Sequence, residues 1–142
     1  MCYALILSTT SIEELSQFNR EEIRFVTDIP ARLPVDRLLY PNQWYVGSRT
    51  GCSCSFRHLY QPFVFGAPED WHPEEEANIE ATLLFIRLVR SLLAKGERVD
   101  CLDAWKGNSE IPFTHLPVNL SQIRDEEFRF FENHHFDFSI DK

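Results

Sequence analysis

The most chemically distinctive residues of the chain lie close together in its middle third. Cys52 and Cys54 are separated by one serine, and Arg49, Arg57 and His58 flank them. A thiol reacts as its thiolate, and nearby cationic groups favour that charged form. The pattern therefore predicts a pair of activated thiols, as in a redox sensor or a thiol enzyme, although Cys-x-Cys is not the usual Cys-x-x-Cys redox motif.

The same cysteine pair also suggests a metal site. Residues at i and i+2 of an extended chain point the same way, so both thiols would face one ion, with Cys2, Cys101 or His58 completing a set of soft ligands. Structural zinc sites usually have two ligand pairs, whereas this sequence offers one pair with a gap of a single residue. We therefore predict no metal ligands and no cofactor, and expect Cys2 and Cys101 to be buried thiols on strands.

The cysteines lie in an aromatic loop, residues 44–72, most of which has no regular hydrophobic period. Loops this long in compact domains are usually binding or lid segments, and large rings are typical anchors of protein interfaces. The predicted binding residues are Trp44, Arg49, Cys52, Cys54, Arg57, His58, Tyr60 and Trp71. The loop predicts a non-enzymatic protein-interaction module, of the kind that immunity proteins and antitoxins form. The alternative is a thiol-based or metal-binding enzyme or redox sensor centred on the two cysteines.

Other polar motifs give weaker indications. Residues 47–51 have the glycines and hydroxyls of an anion cradle, but no Gly-Lys-Ser/Thr ending, so a hairpin turn is expected there. Three-residue spacing places Asp100 and Asp103 on opposite faces of a strand, which predicts no acid–base pair. His134 and His135 are adjacent, so they point to opposite sides, and we expect a solvated turn.

Charge and hydropathy limit the partners. The net charge of −8 and the sequence pI near 5.1 predict repulsion from nucleic acid phosphates and from anionic lipid. The longest apolar stretch, residues 83–93, is interrupted by Arg87 and Arg90, so we expect no membrane span. The start of the chain lacks a signal-peptide pattern, which predicts a cytoplasmic protein. A protein partner or a second copy of the chain remains as the expected partner.

The regular elements that position these residues follow from hydrophobic period and capping signals. A long helix is predicted over residues 73–95, with Pro73 and three glutamates at its start and Lys95-Gly96 at its end. Ile12, Leu15 and Phe18 share a face of a short helix after a capping box. Strands are predicted over residues 3–7, 23–29, 43–48 and 98–104, with a terminal hairpin over 128–140.

These elements predict the fold class. We expect residues 1–142 to form a single α+β domain, because their length suits one hydrophobic core. The order of elements predicts a mostly antiparallel sheet of four to six strands with one long and one short helix packed on it. That pattern is shared by ferredoxin-like sandwiches and their variants, so it favours no particular function.

Overall fold

The structure is a computed structural model that describes residues 3–29, 33, 35–49, 53, 55–59, 75–105 and 113–141. These residues contain one α-helix, α1 (Glu76–Ala94). The strands are β1 (Tyr3–Thr9), β2 (Ile23–Val26), β3 (Asn42–Ser48), β4 (His58–Leu59), β5 (Val99–Trp105), β6 (Thr114–Asn119), β7 (Phe130–Phe131) and β8 (His134–Ser139). Short 3-10 turns cover Leu15–Phe18, Val35–Arg37, Leu120–Gln122 and Asp125–Glu127.

Six of the strands form one mixed sheet, in the order β2-β3-β1-β5-β8-β6. Its neighbours are antiparallel except for β6 and β8, which are parallel. β4 and β7 form a separate parallel pair. The predicted α+β class is confirmed. The predicted short helix is only a 3-10 turn, Leu15–Phe18, so α1 is the one α-helix of the described residues.

The C-terminal part of the chain differs from the prediction. In place of a hairpin, Phe130–Phe131 pairs with β4, while His134–Ser139 lies between β5 and β6. Thr114–Asn119 forms a strand that was not predicted, although it contains Pro117. It lies at the edge of the sheet, where the N–H that proline lacks is not needed for pairing.

One face of the sheet packs against α1 and forms the main core. Alternate residues of the strands point to this face, including Leu5 and Leu7 of β1 and Cys101 of β5. Phe85 of α1 packs against the rings of Phe128, Phe130 and Phe138, with centroid distances of 6.4, 5.1 and 6.1 Å. These ring contacts account for much of the high aromatic content of the sequence.

The other face of the sheet is covered by residues 35–40, which we call the crossing segment. Leu38 of this segment is buried against Ile6 and Leu102, with Ile29, Leu33, Val35 and Phe113 around them. The cluster is small compared with the core under α1, and polar side chains share this face. The crossing segment therefore depends on hydrogen bonds as well as on apolar contact.

Both edges of the sheet carry features that disfavour the addition of another strand. On the outer edge of β2, the Asn19 side chain accepts from the Phe25 N–H at 2.6 Å, and the Arg20 N–H donates to the Ile23 carbonyl at 2.8 Å. Pro117 removes a donor from β6 at the other edge. Natural sheets use such devices against edge-to-edge association. Among the described helices, none has the length and apolar character that crossing a membrane requires.

Replacing Phe85 by alanine tests whether the ring cluster stabilises the fold. We expect Phe85→Ala to lower the free energy of unfolding by about 3–5 kcal/mol, because it leaves a cavity among three aromatic rings. Ile12→Ala is the matched control: Ile12 is 95% exposed, so a change within about 0.5 kcal/mol is expected. Urea denaturation followed by circular dichroism measures both. Equal midpoints for the two variants would contradict the packing described.

Candidate functional site

β5 carries two buried aspartates on opposite faces of the sheet. Asp100 and Asp103 are both 0% exposed, and their three-residue spacing puts Asp103 on the α1 face and Asp100 on the face under the crossing segment. The opposite orientation agrees with the sequence prediction. The sequence did not reveal that each aspartate has its own histidine, His58 for Asp103 and His135 for Asp100.

Asp100 is the centre of a hydrogen-bond chain under the crossing segment. The Ser8 hydroxyl donates to Oδ1 of Asp100, and the Leu39 N–H donates to Oδ2 at 2.9 Å. Nε2 of His135 lies 2.7 Å from the same Oδ2. The Ser8 hydroxyl also accepts the N–H of Tyr40 at 3.2 Å. Each neighbour therefore presents a donor, and Asp100 acts as the acceptor throughout.

The hydrogen-bond chain continues from His135 to His115 on the neighbouring strand. The two residues are paired in the register of β6 and β8, and their Nδ1 atoms lie 3.0 Å apart. With both rings neutral and Nε2 of His135 donating to Asp100, Nδ1 of His135 has a free lone pair and accepts. His115 then donates from Nδ1, which leaves its lone pair on Nε2. In this neutral state each histidine has one tautomer.

The far end of this chain opens into a surface pocket of about 240 Å³, lined by Arg37, Leu39, Phe113, His115 and His135. His115 is exposed, whereas His135 is buried behind it. Arg37 gives the pocket a permanent positive charge, and His115 gives it an exposed imidazole. Leu39 and Phe113 form its apolar walls. These are chemical groups that can bind an anion and move a proton.

The second pair, Asp103 and His58, lies on the α1 side of the sheet. Nε2 of His58 is 3.1 Å from Oδ2 of Asp103, and the side chain of His58 is 8% exposed. The His58 ring also packs against Phe130, with 5.6 Å between centroids. Burial raises the pKa of Asp103, and the Glu132 charge raises it further, while His58 and His134 oppose the change. The pair is a buried acid–base couple without a described pocket beside it.

The structure gives different surroundings to the predicted binding residues that it describes. Trp44 is 6% exposed and belongs to the core under α1, which corrects its prediction as an interface anchor. Its alternation in β3 turns the ring inward. Arg49 is on the surface, where it forms an ion pair of 3.0 Å with Glu75. Arg57 is 3% exposed and donates to the carbonyls of Glu126 and Phe128 at 2.5 and 3.2 Å, a structural role.

The described residues around the cysteines are mostly buried. The Ser53 hydroxyl accepts the N–H of Leu5 at 3.0 Å and donates to the carbonyl of Val46 at 2.6 Å, and Phe56 is 2% exposed. Burial raises the pKa of the Cys101 thiol well above its ordinary value, so this thiol stays neutral. The other predicted residues, Cys52, Cys54, Tyr60 and Trp71, and also Cys2, lie outside the described residues.

The prediction for the histidine pair near the C-terminus was wrong. His134 and His135 are each 7% exposed and lie on β8, not in a solvated turn. As expected for adjacent strand residues, they serve opposite faces: His135 bonds to Asp100, and His134 is paired in register with Asp103. Within the described residues, no group of three or more His, Cys, Asp or Glu side chains is arranged to hold a metal.

Sequence reasoning missed most of the Asp100 chain. Ser8 and Asp100 are 92 positions apart in the sequence, Asp100 and His135 are 35 apart, and His135 and His115 are 20 apart. No local motif joins such residues. The one available signal was the burial of a charged residue in a strongly predicted strand, since buried charges need partners. Comparison of the chain with protein-family models, curated proteins and solved structures found no significant match.

The raised pKa of Asp103 predicts a pH-dependent contribution to stability. The folded protein holds the Asp103 proton to a higher pH than the unfolded chain does, so this contribution is full below the unfolded pKa of about 3.9. It declines as pH rises through the native pKa. Asp103→Asn does not titrate there. We therefore expect the free energy of unfolding of the wild type, relative to this variant, to decrease between about pH 3 and pH 7.

Urea denaturation at a series of pH values measures this difference. Asp36→Asn is the control, because it removes the same charge from an exposed position. His58, His134 and Glu132 face the same carboxyl and remain in every protein compared. Parallel stability curves for wild type and Asp103→Asn would contradict the prediction.

Proposed function

We propose that the protein is a small acid–base catalyst in which His115 is the general base and Arg37 binds a small organic anion. The observation that carries the proposal is the hydrogen-bond chain from Asp100 through His135 to His115. Catalytic bases are usually oriented by a second group, and often by a buried carboxylate behind it. Here the base stands at the surface, and the carboxylate is 0% exposed.

The hydrogen bonds from His115 to Asp100 explain how the imidazolium that forms during the reaction would be stabilised. When Nε2 of His115 takes a proton, positive charge develops on its ring. Nδ1 of that ring donates to His135, which in turn donates to the negative carboxylate of Asp100. The carboxylate favours the charged imidazole, and it does so without contacting the substrate. Asp100 and His135 are therefore positioning residues, and His115 alone of the three would touch the reacting atoms.

The pocket supports a small anion as the substrate class. The whole chain carries a net charge of −8, so an anion needs local positive charge to bind. Arg37 supplies it, and a guanidinium suits a carboxylate or a phosphate. Leu39 and Phe113 offer apolar contact to the rest of the molecule. The volume of about 240 Å³ lies below the usual range for drug-sized ligands, about 300–1,000 Å³, so the substrate is small.

Hydrolysis of an anionic activated ester, the mono-4-nitrophenyl ester of succinic acid, tests this function. His115 would take a proton from the attacking water. We expect His115→Gln to lower the rate about a hundredfold, because the base is lost. Asp100→Asn should also lower the rate, because no carboxylate then stabilises the positive charge that develops on the imidazole during the reaction. Stopped-flow absorbance of nitrophenolate measures both effects.

Two matched variants separate catalysis from general damage. His134→Gln removes the adjacent histidine, which faces Asp103, and should leave the rate unchanged. Asp137→Asn removes a charge from the residue opposite Asp100 in the strand register, and should lower the rate much less than Asp100→Asn does. A His115→Gln variant that hydrolyses the ester as fast as the wild type would exclude His115 as the base.

The protein-interaction module predicted from residues 44–72 stays a prediction. Trp44 is buried and does not contribute to the surface of this loop. The Arg57 guanidinium donates to two backbone carbonyls. Arg49 remains available at the surface, although Glu75 shares its charge. The other predicted contacts of a protein partner or a homodimer, Cys52, Cys54, Tyr60 and Trp71, lie outside the described part of the chain.

A second candidate function is thiol chemistry at Cys52 or Cys54, and one observation favours it. His58 follows Cys54 by four positions and lies 3.1 Å from the buried carboxylate of Asp103. The sequence alone offered no base for the thiols, whereas a histidine held by a carboxylate is the usual partner of a reactive cysteine. This candidate places the protein in a reducing compartment such as the cytoplasm, where thiols persist.

Alkylation kinetics test the thiol candidate. We expect iodoacetamide at neutral pH to label Cys52→Ser or Cys54→Ser, whichever retains the activated thiol, about tenfold faster than a free model thiol with a pKa of about 8.5. Cys101→Ser should leave the fast labelling unchanged, because that thiol is buried and neutral. His58→Gln should abolish the acceleration. Labelling at the rate of the model thiol in both single variants would exclude this function.

A further inference from the structure

A groove on the α1 side of the molecule has an apolar floor and a cationic rim. It lies between α1, β2 and the turn Leu15–Phe18, and its volume is about 240 Å³. Five of its lining residues are apolar: Phe18, Ile23, Phe25, Leu84 and Leu88. The other three are Arg20, Arg87 and Ser91. The groove is on the α1 side of the sheet, whereas the pocket of His115 is on the other side.

The two arginines at the groove are weakly engaged by other groups. The Nε of Arg87 is 3.9 Å from Oδ2 of Asp125, at the limit of an ion pair, and the Arg87 side chain is 58% exposed. Arg20 reaches the carbonyl of Asn19 at 3.4 Å. No acidic residue lines the groove. On a chain with a net charge of −8, this local pair of positive charges is complementary to an anion.

We propose that this groove is a binding site for a medium-chain fatty carboxylate. The hydrocarbon tail would lie against Phe18, Phe25 and Leu84, and the carboxylate would be held between Arg20 and Arg87. The apolar floor gains free energy when a tail displaces water from it, at about 25 cal/mol per Å² of buried apolar surface. The arginines fix the head, because a guanidinium binds a carboxylate with two parallel donors.

The lining composition selects this ligand class over others. A purely polar anion would leave the half-buried Phe18 and Leu84 in contact with water, and a neutral lipid would gain nothing from the two cations. A cationic amphiphile would be repelled. The small volume limits the tail that the groove accepts, so a carboxylate of about ten carbons is preferred to a membrane lipid with two long chains.

Isothermal titration calorimetry with decanoate, below its micelle concentration and at low salt, tests the proposal. We expect saturable binding of decanoate, weaker binding of decanol and none of decyltrimethylammonium. Arg20→Gln and Arg87→Gln should each weaken decanoate binding about twofold to fivefold, as expected for a charge contact at the surface. Leu84→Asn should weaken decanoate and decanol alike, because it removes apolar contact shared by both.

Control variants locate the binding. Arg124→Gln is the matched control for charge, because Arg124 is 70% exposed and pairs with Glu126 and Glu127. It should bind decanoate like the wild type. Arg37→Gln should also bind like the wild type, which separates this groove from the pocket of His115. Absence of saturable binding, equal affinity for decanol, or loss of binding in Arg37→Gln alone would overturn the proposal.

Discussion

The buried carboxylate of Asp100 is the interaction on which the arrangement of this face depends. A buried charge is unfavourable unless donors surround it. The donors to Asp100 come from three separate parts of the chain: the Ser8 hydroxyl on β1, the Leu39 N–H of the crossing segment and Nε2 of His135 on β8. Satisfying one charge therefore fixes the relative positions of two strands and the segment that covers them.

The period of a β-strand then separates the polar groups of β5 into two independent sets. Side chains alternate between faces, so Asp100 faces the crossing segment while Cys101 and Asp103 face α1. Different parts of the protein cover the two sets. The α1 side is closed by aromatic packing and by Arg57, which bonds to backbone carbonyls. The other side has only a small apolar cluster, and this is where a polar chain reaches the surface.

Local patterns were sufficient for the elements that carry their own capping or hydropathy signal. The glutamates and Lys95-Gly96 delimit α1, alternation located β2, and apolar or aromatic runs located β1 and β3. Gly96 has a φ of 86°, the left-handed conformation that stops a helix. Local patterns failed where a tertiary neighbour decides the outcome. Thr114–Asn119 is a strand because β8 is available to pair with it, although Pro117 argues for a loop.

The candidate site could not be predicted from local patterns for the same reason, because tertiary contacts bring its residues together. His115 and His135 acquire their roles only because β6 and β8 run parallel in a register that opposes them directly. The sequence prediction instead placed His134 and His135 in the turn of a terminal hairpin over residues 128–140. The thiol segment was easier to notice, since its residues are neighbours in sequence. A site is thus easy to detect in a sequence when its residues are close together in that sequence, whether or not the structure orients them for chemistry.

The hydrogen-bond chain of Asp100 differs from the other buried polar contacts because it leads from the interior to the surface. Ser53 and Arg57 satisfy backbone groups in the interior, and such contacts serve the fold. The Asp100 chain begins with a fully buried carboxylate and ends at the exposed ring of His115. Stability alone does not require this, because apolar residues of similar volume often replace a buried charged pair without loss. The proposed function accounts for the retained charge, because a general base at His115 would need a ring oriented by a group with a buried carboxylate behind it.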